Sequence, residues 1–496
     1  MRHEEMPMAL TYDDVLLVPQ RSSIASRRDV DTSGRLTPSI TLASPVVGAN
    51  MDSVTEWRMA VALARAGGIG IIHRFLTIEE QALQVRRVKR SESFVIDSPW
   101  TTSADTEISD VETSFREHGV NGLPVVDADD RLVGLITRRD LLAAIDGKGV
   151  VRDVMTPRDQ LVTGAPGGGL EAARAAMAAR RVEKLPLADA DNRLVGLVTM
   201  KDIEHLDRFP NATKDARGRL RVGAAIGVRG DYLDRARACA EAGADVLCLD
   251  IAHGHAEHAL VAVGELRRTV DIELIAGNVA TAAGARDLIE AGAHAIKVGV
   301  GPGSVCTTRL VAGVGVPQLS AVLDCAEVCL EAGIPLCADG GIRMPADMAK
   351  AIAAGADTVM VGNMFAGATE SPGTLLERDG RVLKVHRGMA SGGAMDRRLQ
   401  VDSNGLDDGT SRVSHESARG AAAESGASGQ SVPEGVEAVV PYRGDAAKVV
   451  NQLVGGLRSA MSYSNARTIT EMHDRAKFVR ITAAGQIESR PHDVQV

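Results

Sequence analysis

A chain of 496 residues with 45% apolar content exceeds one average domain and supports two or three hydrophobic cores. Its formal net charge of -9 excludes a global basic field for nucleic acid or an anionic membrane, so any phosphate must be held by local geometry. The 51 glycines, set against 6 Phe, 4 Tyr and 2 Trp, describe a protein of tight turns and close backbone approaches.

The opening residues, MRHEEMPMALTYDD, lack the apolar run of a signal peptide, and no stretch of about 18 apolar residues follows. Six cysteines, at 239, 248, 306, 325, 329 and 337, form no CxxC pair and no Cys/His zinc pattern. A soluble, reduced, cytoplasmic protein is expected, with no membrane partner and no need of nucleic acid.

Short β-branched runs then alternate with longer alanine-rich stretches of helical period, the pattern of parallel strands joined by crossover helices. Eight strands are predicted, at 44–49, 68–72, 221–227, 246–250, 273–277, 295–300, 335–340 and 358–362. Helices are predicted between them at 232–242, 256–268, 282–291, 320–332 and 345–354. Eight β/α units close into an α/β (β/α)8 TIM barrel.

Residues 96–204 interrupt the barrel and repeat themselves: NGLPVVDADDRLVGLITRRDL (121–141) returns as EKLPLADADNRLVGLVTMKDI (183–203), with VMTP (154–157) between. This resembles a tandem pair of CBS domains, which implies an adenine or guanine nucleotide bound as an effector. A spacer or oligomerisation surface is the alternative reading. The expected domains are thus 1–95, the first part of the barrel; 96–204, the inserted pair; and 205–496, the rest of the barrel. Residues 401–432 are rich in Ser, Gly, Ala and charge and cannot bury a core, so a mobile flap over the active site is expected at about 390–435.

Barrel chemistry sits at the C-terminal strand ends. The sixth strand runs into GVGPGSVCTTR (299–309), where glycine turns present Cys306, an intrinsically strong nucleophile, beside Thr307 and Thr308. The other five cysteines read as packing residues. ADGGIR (338–343) offers Asp339 to ribose hydroxyls and the amides of Gly340, Gly341 and Ile342 to a phosphate; VGNMFAG (361–367) adds a second amide nest. LDIAHGH (249–255) brings Asp250 and His253 to the mouth, with His253 and His255 left unassigned as bases, and AGNVAT (276–281) brings Asn278. Glu434, in VPEGVEAVVPYRG (432–444), is the carboxylate expected nearest the nucleotide.

LTYDDVLLVP, MDSVT, GGIGIIHR, GNVAT, GPGSVCTTR, DGGIR, HRGMAS and VPEGVEAVVPYRG together resemble the IMP dehydrogenase and GMP reductase family across nearly the whole chain. The resemblance implies that Cys306 bonds covalently to C2 of a purine nucleotide, IMP or GMP, while hydride passes between C2 and a nicotinamide. It places Ser304, Asp339, Gly341, Gly362, Asn363, His386, Gly388 and Met389 around the nucleotide, and Glu434 on the purine ring. Thr308 and Glu434 would handle protons, and Asp250 and Asn278 would face the dinucleotide. Carbonyls of Gly301, Gly303 and Cys306 would bind K+, completed by Glu488, Ser489 and Arg490 of a neighbouring copy in a homotetramer or octamer.

Two reactions share the hydride step. Dehydrogenases carry an Arg-Tyr pair on the flap to activate water; here Arg397 of DRRLQ (396–400) takes the arginine place, while Arg398 stands where the tyrosine would. His386 replaces a usual phosphate-contacting tyrosine, Asn363 a common serine, and ANMD and PQLSAV are similar to the reductases. The insertion, IAHGH and the terminal VRITAAGQIESRPHDV are similar to bacterial dehydrogenases. The expected reaction is IMP, NAD and water to XMP and NADH; the alternatives are a GMP reductase using NADPH and an inactive nucleotide sensor. A sensor would have no need of the nucleophile.

Overall fold

Val46–Gly48 (β1), Ile69–Ile72 (β2), Gly223–Ile226 (β3), Val246–Leu249 (β4), Glu273–Val279 (β5), Ala295–Val298 (β6), Leu336–Asp339 (β7) and Thr358–Val361 (β8) form a closed parallel barrel. The computed structural model describes residues 6–91, 95–97, 99–118, 120–143, 149–200, 203, 209–394 and 432–491. Closure is made where Val359 pairs with Val46 and where Gly223 pairs with Ile71. Every residue of β2, β3, β4, β6 and β8 is buried, so these strands show no apolar–polar alternation, and Lys297 in β6 is the one charged residue among them. Small residues make room for large ones inside: a Cβ on Gly223 would lie 2.4 Å from Ile71 Cδ1. Truncating Ile71, itself wholly buried, would cost about 2–5 kcal/mol.

The surrounding helices are Trp57–Arg65 (α1), Ile78–Ser91 (α2), Tyr232–Glu241 (α3), Glu257–Thr269 (α4), Ala282–Glu290 (α5), Gln318–Ala332 (α6), Pro345–Ala353 (α7) and Ala446–Tyr463 (α8). Helix α7 shows how they start: Pro345 opens it, and the Asp347 carboxylate accepts the amides of Arg343 (2.9 Å) and Met344 (3.2 Å), two donors near a helix end that lack intrahelical partners. All eight strands coincide with the runs read from the sequence, and the five predicted helices lie within two residues of their expected ends. Among the described residues no helix is long and apolar enough to cross a membrane.

An antiparallel sheet that the sequence reading lacks is formed by Leu375–Arg378 (β9), Arg381–Arg387 (β10) and Glu437–Pro441 (β11). Strand β9 is exposed throughout and β10 is buried at only two positions, so neither carries the apolar signal of a barrel strand. Pairing of Arg387 with Glu437 brings together the two ends of the expected flap. Residues 395–431, which include Arg397, Arg398 and nearly all of the 401–432 segment, lie outside the described residues.

Chain contacts divide the protein into two units: Met1–Lys89, Asn211–Thr213 and Arg221–Val496 make the first, Arg90–Pro210 and Lys214–Leu220 the second. Within the second, the repeats form matching hairpins, Gly122–Val126 with Leu132–Thr137 and Lys184–Ala188 with Leu194–Thr199. Each has its own core, one around Phe115 and Ile136, the other around Met177 and Val198. The repeated DAD motif has a mechanical cause. Asp127 accepts the amides of Asp129 and Arg131, and Asp189 those of Asp191 and Arg193, all at 2.8–3.0 Å. The turns then hold each other, Leu132 N–H donating to the Asn192 carbonyl (2.9 Å) and Leu194 N–H to that of Asp130 (3.0 Å).

Because each unit has its own core, replacing residues 92–208 with a short Gly/Ser linker is expected to leave a folded barrel. Far-UV circular dichroism and a cooperative urea transition would show it; a chain that fails to unfold cooperatively would refute the independence of the first unit.

Candidate active site

The C-terminal strand ends surround a cavity of about 650 Å³, within the range of small-molecule sites. Two glycines set its floor. Gly299 follows β6 at φ +151, and a Cβ there would lie 2.1 Å from the Asp339 carbonyl oxygen, so only glycine lets the ends of β6 and β7 meet. Gly340 follows β7 at φ +94, with Pro302 2.9 Å from the Cβ it lacks. Gln318 fastens the same ends, donating from Nε2 to the carbonyls of Val298 (2.8 Å) and Asp339 (3.1 Å).

Cys306 lies partly exposed on this wall, and the other five cysteines are buried. Its thiol is 3.3 Å from Thr308 Oγ1, which donates to Glu434 Oε2 at 2.7 Å. One hydroxyl proton therefore serves the carboxylate while the hydroxyl oxygen accepts from the thiol, a continuous path from sulfur to carboxylate. The backbone enforces it: Thr307 N–H donates to the Glu434 carbonyl (2.8 Å), Val436 N–H to Val305 (3.0 Å) and Gly388 N–H to Val436 (3.0 Å). Burial pushes the thiols of Cys239, Cys248, Cys329 and Cys337 up to about 12, and that of Cys325 up as well.

Asp339 is held from behind. Its Oδ2 accepts from Asn278 Nδ2 (2.9 Å) and Lys297 Nζ (3.1 Å), and Lys297 also bonds Asn278 Oδ1. The other oxygen of Asp339 has no hydrogen-bond partner among the described residues. Burial works to lower the Lys297 pKa, but Asp339, with Asp250 nearby, outweighs it and holds the ammonium above its ordinary value. Asn278, expected on the dinucleotide side, thus commits its side chain to the Asp339 network and to the Gly299 carbonyl (2.8 Å). Each oxygen of Asp250 accepts one hydrogen bond, from Asn50 Nδ2 (2.8 Å) and from Arg74 Nε (2.7 Å).

Ser304, Gly341, Gly362, Asn363, His386, Gly388 and Met389 all line the cavity, and Asn363 Nδ2 donates to Ser304 Oγ at 3.3 Å. His253 and His255 do not line it; His255 pairs with Asp287 at 2.7 Å. Gly303 accepts the Cys306 amide (3.1 Å), while the carbonyls of Gly301 and Cys306 accept no hydrogen bond from the described residues. Arg309 takes the neighbouring carbonyls of Val300 (3.4 Å) and Val316 (2.6 Å). Glu488, Ser489 and Arg490 close a helix, Ala483–Glu488, that packs near Tyr12–Asp14. Lys297, Arg74 and Asn50 were missed by the sequence reading. Lys297 had left a signal, since a charge inside AIKVGV must be paired when the strand is buried.

A partly exposed thiol on a barrel rim, backed by a hydroxyl–carboxylate pair and flanked by glycine turns, marks the candidate active site of a β/α-barrel enzyme. The sequence profile described as "IMP dehydrogenase / GMP reductase domain" matches residues 9–492. The chain belongs to that family. It is 49% identical to inosine-5'-monophosphate dehydrogenase of Nitrosopumilus maritimus, over 99% of each chain. It is also 47% identical to GMP reductase of Leishmania major, over 99% of this chain and 98% of that one. A solved structure of a GMP reductase variant from Trypanosoma brucei, in complex with guanosine 5'-monophosphate, superposes with a TM-score of 0.83 at 45% identity, covering 99% of both chains.

The contrast among the six thiols predicts selective chemistry. Limiting iodoacetamide at neutral pH is expected to alkylate Cys306 alone, as read by peptide mass mapping; modification of a buried cysteine at a comparable rate would contradict the burial pattern.

Proposed function

We propose that this chain is a purine nucleotide oxidoreductase that converts IMP, NAD and water to XMP and NADH through a covalent bond to Cys306. The observation that carries the reading is the Cys306–Thr308–Glu434 chain at the mouth of a barrel whose full-length relatives include IMP dehydrogenases. Attack of the thiol on C2 of the purine requires its proton to leave, and the Thr308 hydroxyl gives that proton a path toward Glu434. Asp339 would accept the ribose hydroxyls through its free oxygen. The amides after β7 and β8, with His386, would hold the 5′-phosphate. NAD, when bound, supplies the hydride acceptor. Loss of hydride from C2 leaves a thioimidate on Cys306, and water attacking C2 expels the thiolate and forms XMP; Arg397 is the residue we assign to activating that water.

Among the described residues nothing donates to the carbonyls of Gly301 and Cys306, and Gly303 keeps a second lone pair, which suits a monovalent cation; K+ is our assignment. Glu488, Ser489 and Arg490 of a second copy would complete its shell, in a homotetramer or octamer. We read residues 96–204 as a CBS pair that binds an adenine or guanine nucleotide effector.

GMP reduction by NADPH, releasing ammonia, is the second reading. Arg398 in the place of the dehydrogenase tyrosine, His386 in the place of another, and the likeness to trypanosomatid GMP reductases favour it. The distinguishing experiment is paired: NADH absorbance followed with IMP plus NAD, and NADPH absorbance with GMP plus NADPH. Growth with IMP is expected; decay with GMP and no growth with IMP would replace the first reading by the second.

Cys306→Ala is expected to lower turnover by at least about 10⁴-fold while nucleotide binding stays measurable by calorimetry. Glu434→Gln should lower kcat by about 10²–10⁴-fold. Turnover near wild type in the alanine variant would refute the covalent route.

A further inference from the structure

His386 ends up in the cavity wall through a long-range arrangement. Strand β10 carries it there, and the ring is 1% exposed. Ser53, in the loop after β1, sets its Oγ 3.1 Å from His386 Nδ1. The same oxygen accepts the Arg387 amide at 3.1 Å and lies 3.4 Å from the Arg387 carbonyl. Asp52, the residue before Ser53, is clamped by Arg387, the residue after His386, with Nε at 2.8 and 3.1 Å from its carboxylate oxygens. One ion pair, with Asp52 buried and Arg387 partly exposed, therefore fixes both backbones that carry the serine and the histidine.

The hydroxyl has one proton to give. Its oxygen already accepts from the Arg387 amide, and the shorter of its two remaining contacts is to Nδ1. Donating there makes Nδ1 an acceptor, and a neutral imidazole with Nδ1 bare carries its proton on Nε2. Burial, opposed by Asp52, depresses the His386 pKa to about 4, so the ring is neutral near pH 7 and its tautomer decides what it offers a ligand. Nε2 has no partner among the described residues. The opposite tautomer would rely on the 3.4 Å contact and turn a lone pair toward any phosphate in the cavity.

We infer that Ser53 is a positioning residue that holds His386 as the Nε2–H tautomer, so that the ring donates a hydrogen bond to the 5′-phosphate of the nucleotide. The inference rests on reading the cavity as a nucleotide site. It assigns to Ser53 a part in substrate recognition that depends on a histidine at 386.

Calorimetric titration with IMP, GMP and the nucleosides inosine and guanosine tests it. Ser53→Ala is expected to weaken nucleotide binding by about 3–10-fold, the size of one net hydrogen bond, and to leave nucleoside binding within about 2-fold. Ser53→Thr keeps the hydroxyl and should bind like wild type. In the H386Q background the glutamine amide supplies the donor without a serine partner, so adding S53A should change nucleotide affinity by less than about 2-fold. Unchanged nucleotide affinity in S53A, equal losses for nucleotide and nucleoside, or an undiminished S53A effect in the H386Q background would overturn the assignment. Wild-type protein that binds nucleotides no more tightly than nucleosides would instead overturn the nucleotide-site reading, and this inference with it.

Discussion

The ladder between residues 305–307 and 434–436 is the constraint on which the site depends. Cys306 sits on a glycine-rich loop whose torsions are individually permissive, so its position must be imposed from outside. Three backbone hydrogen bonds do this, from Thr307 to Glu434, from Val436 to Val305 and from Gly388 to Val436. They couple Cys306 to segments that adjoin the 395–431 stretch on both sides. A displacement of either segment would move Glu434 relative to Thr308 as well as Met389 relative to the cavity. Catalytic geometry is thus tied to the auxiliary sheet, although the barrel supplies the floor.

Charge inside the barrel follows a second rule. Lys297, with a side chain 4% exposed, would be prohibitively costly alone, and it is tolerated because Asp339 and Asn278 surround it. The pairing has a functional consequence. By occupying Oδ2 of Asp339, Lys297 and Asn278 orient the carboxylate and leave its other oxygen without a partner among the described residues. Arg74 and Asn50 treat Asp250 in the same manner, with both of its oxygens taken. The two carboxylates therefore differ in how they are held, Asp339 through one oxygen and Asp250 through both, a distinction invisible in their identical residue type.

Barrel geometry explains why so much was legible in the sequence. Buried parallel strands must be apolar runs, and chemistry must lie just past them, so Cys306, Asp339 and the glycine turns could be found by walking the strand ends. Glu434 was found only as a carboxylate near a segment of interest; its bond to Thr308 joins residues 126 apart and has no local signature. Ser53 and His386 are 333 residues apart, and nothing at either position announces the other. Strands β9 and β10 escaped because exposed strands need no hydrophobic period.

The division between the two reactions follows from where these groups stand. On the proposed mechanism Cys306, Thr308, Glu434 and Asp339 would serve the formation of the covalent bond and the hydride step, and both chemistries would share those steps. Hydrolysis and ammonia exchange diverge only afterwards, at the carbon still attached to sulfur. On the same reading that later step depends on the group that activates the attacking water, and Arg397 and Arg398, adjacent in sequence, are the candidates. An arginine acting as a base must shed a proton held by a group of very high pKa, and an adjacent cation favours that loss only if the two guanidinium groups face the same way. A tyrosine in the same place would instead offer a neutral hydroxyl able to accept or donate. The exchange of one for the other therefore bears on water activation while leaving the barrel's contribution to hydride transfer unchanged.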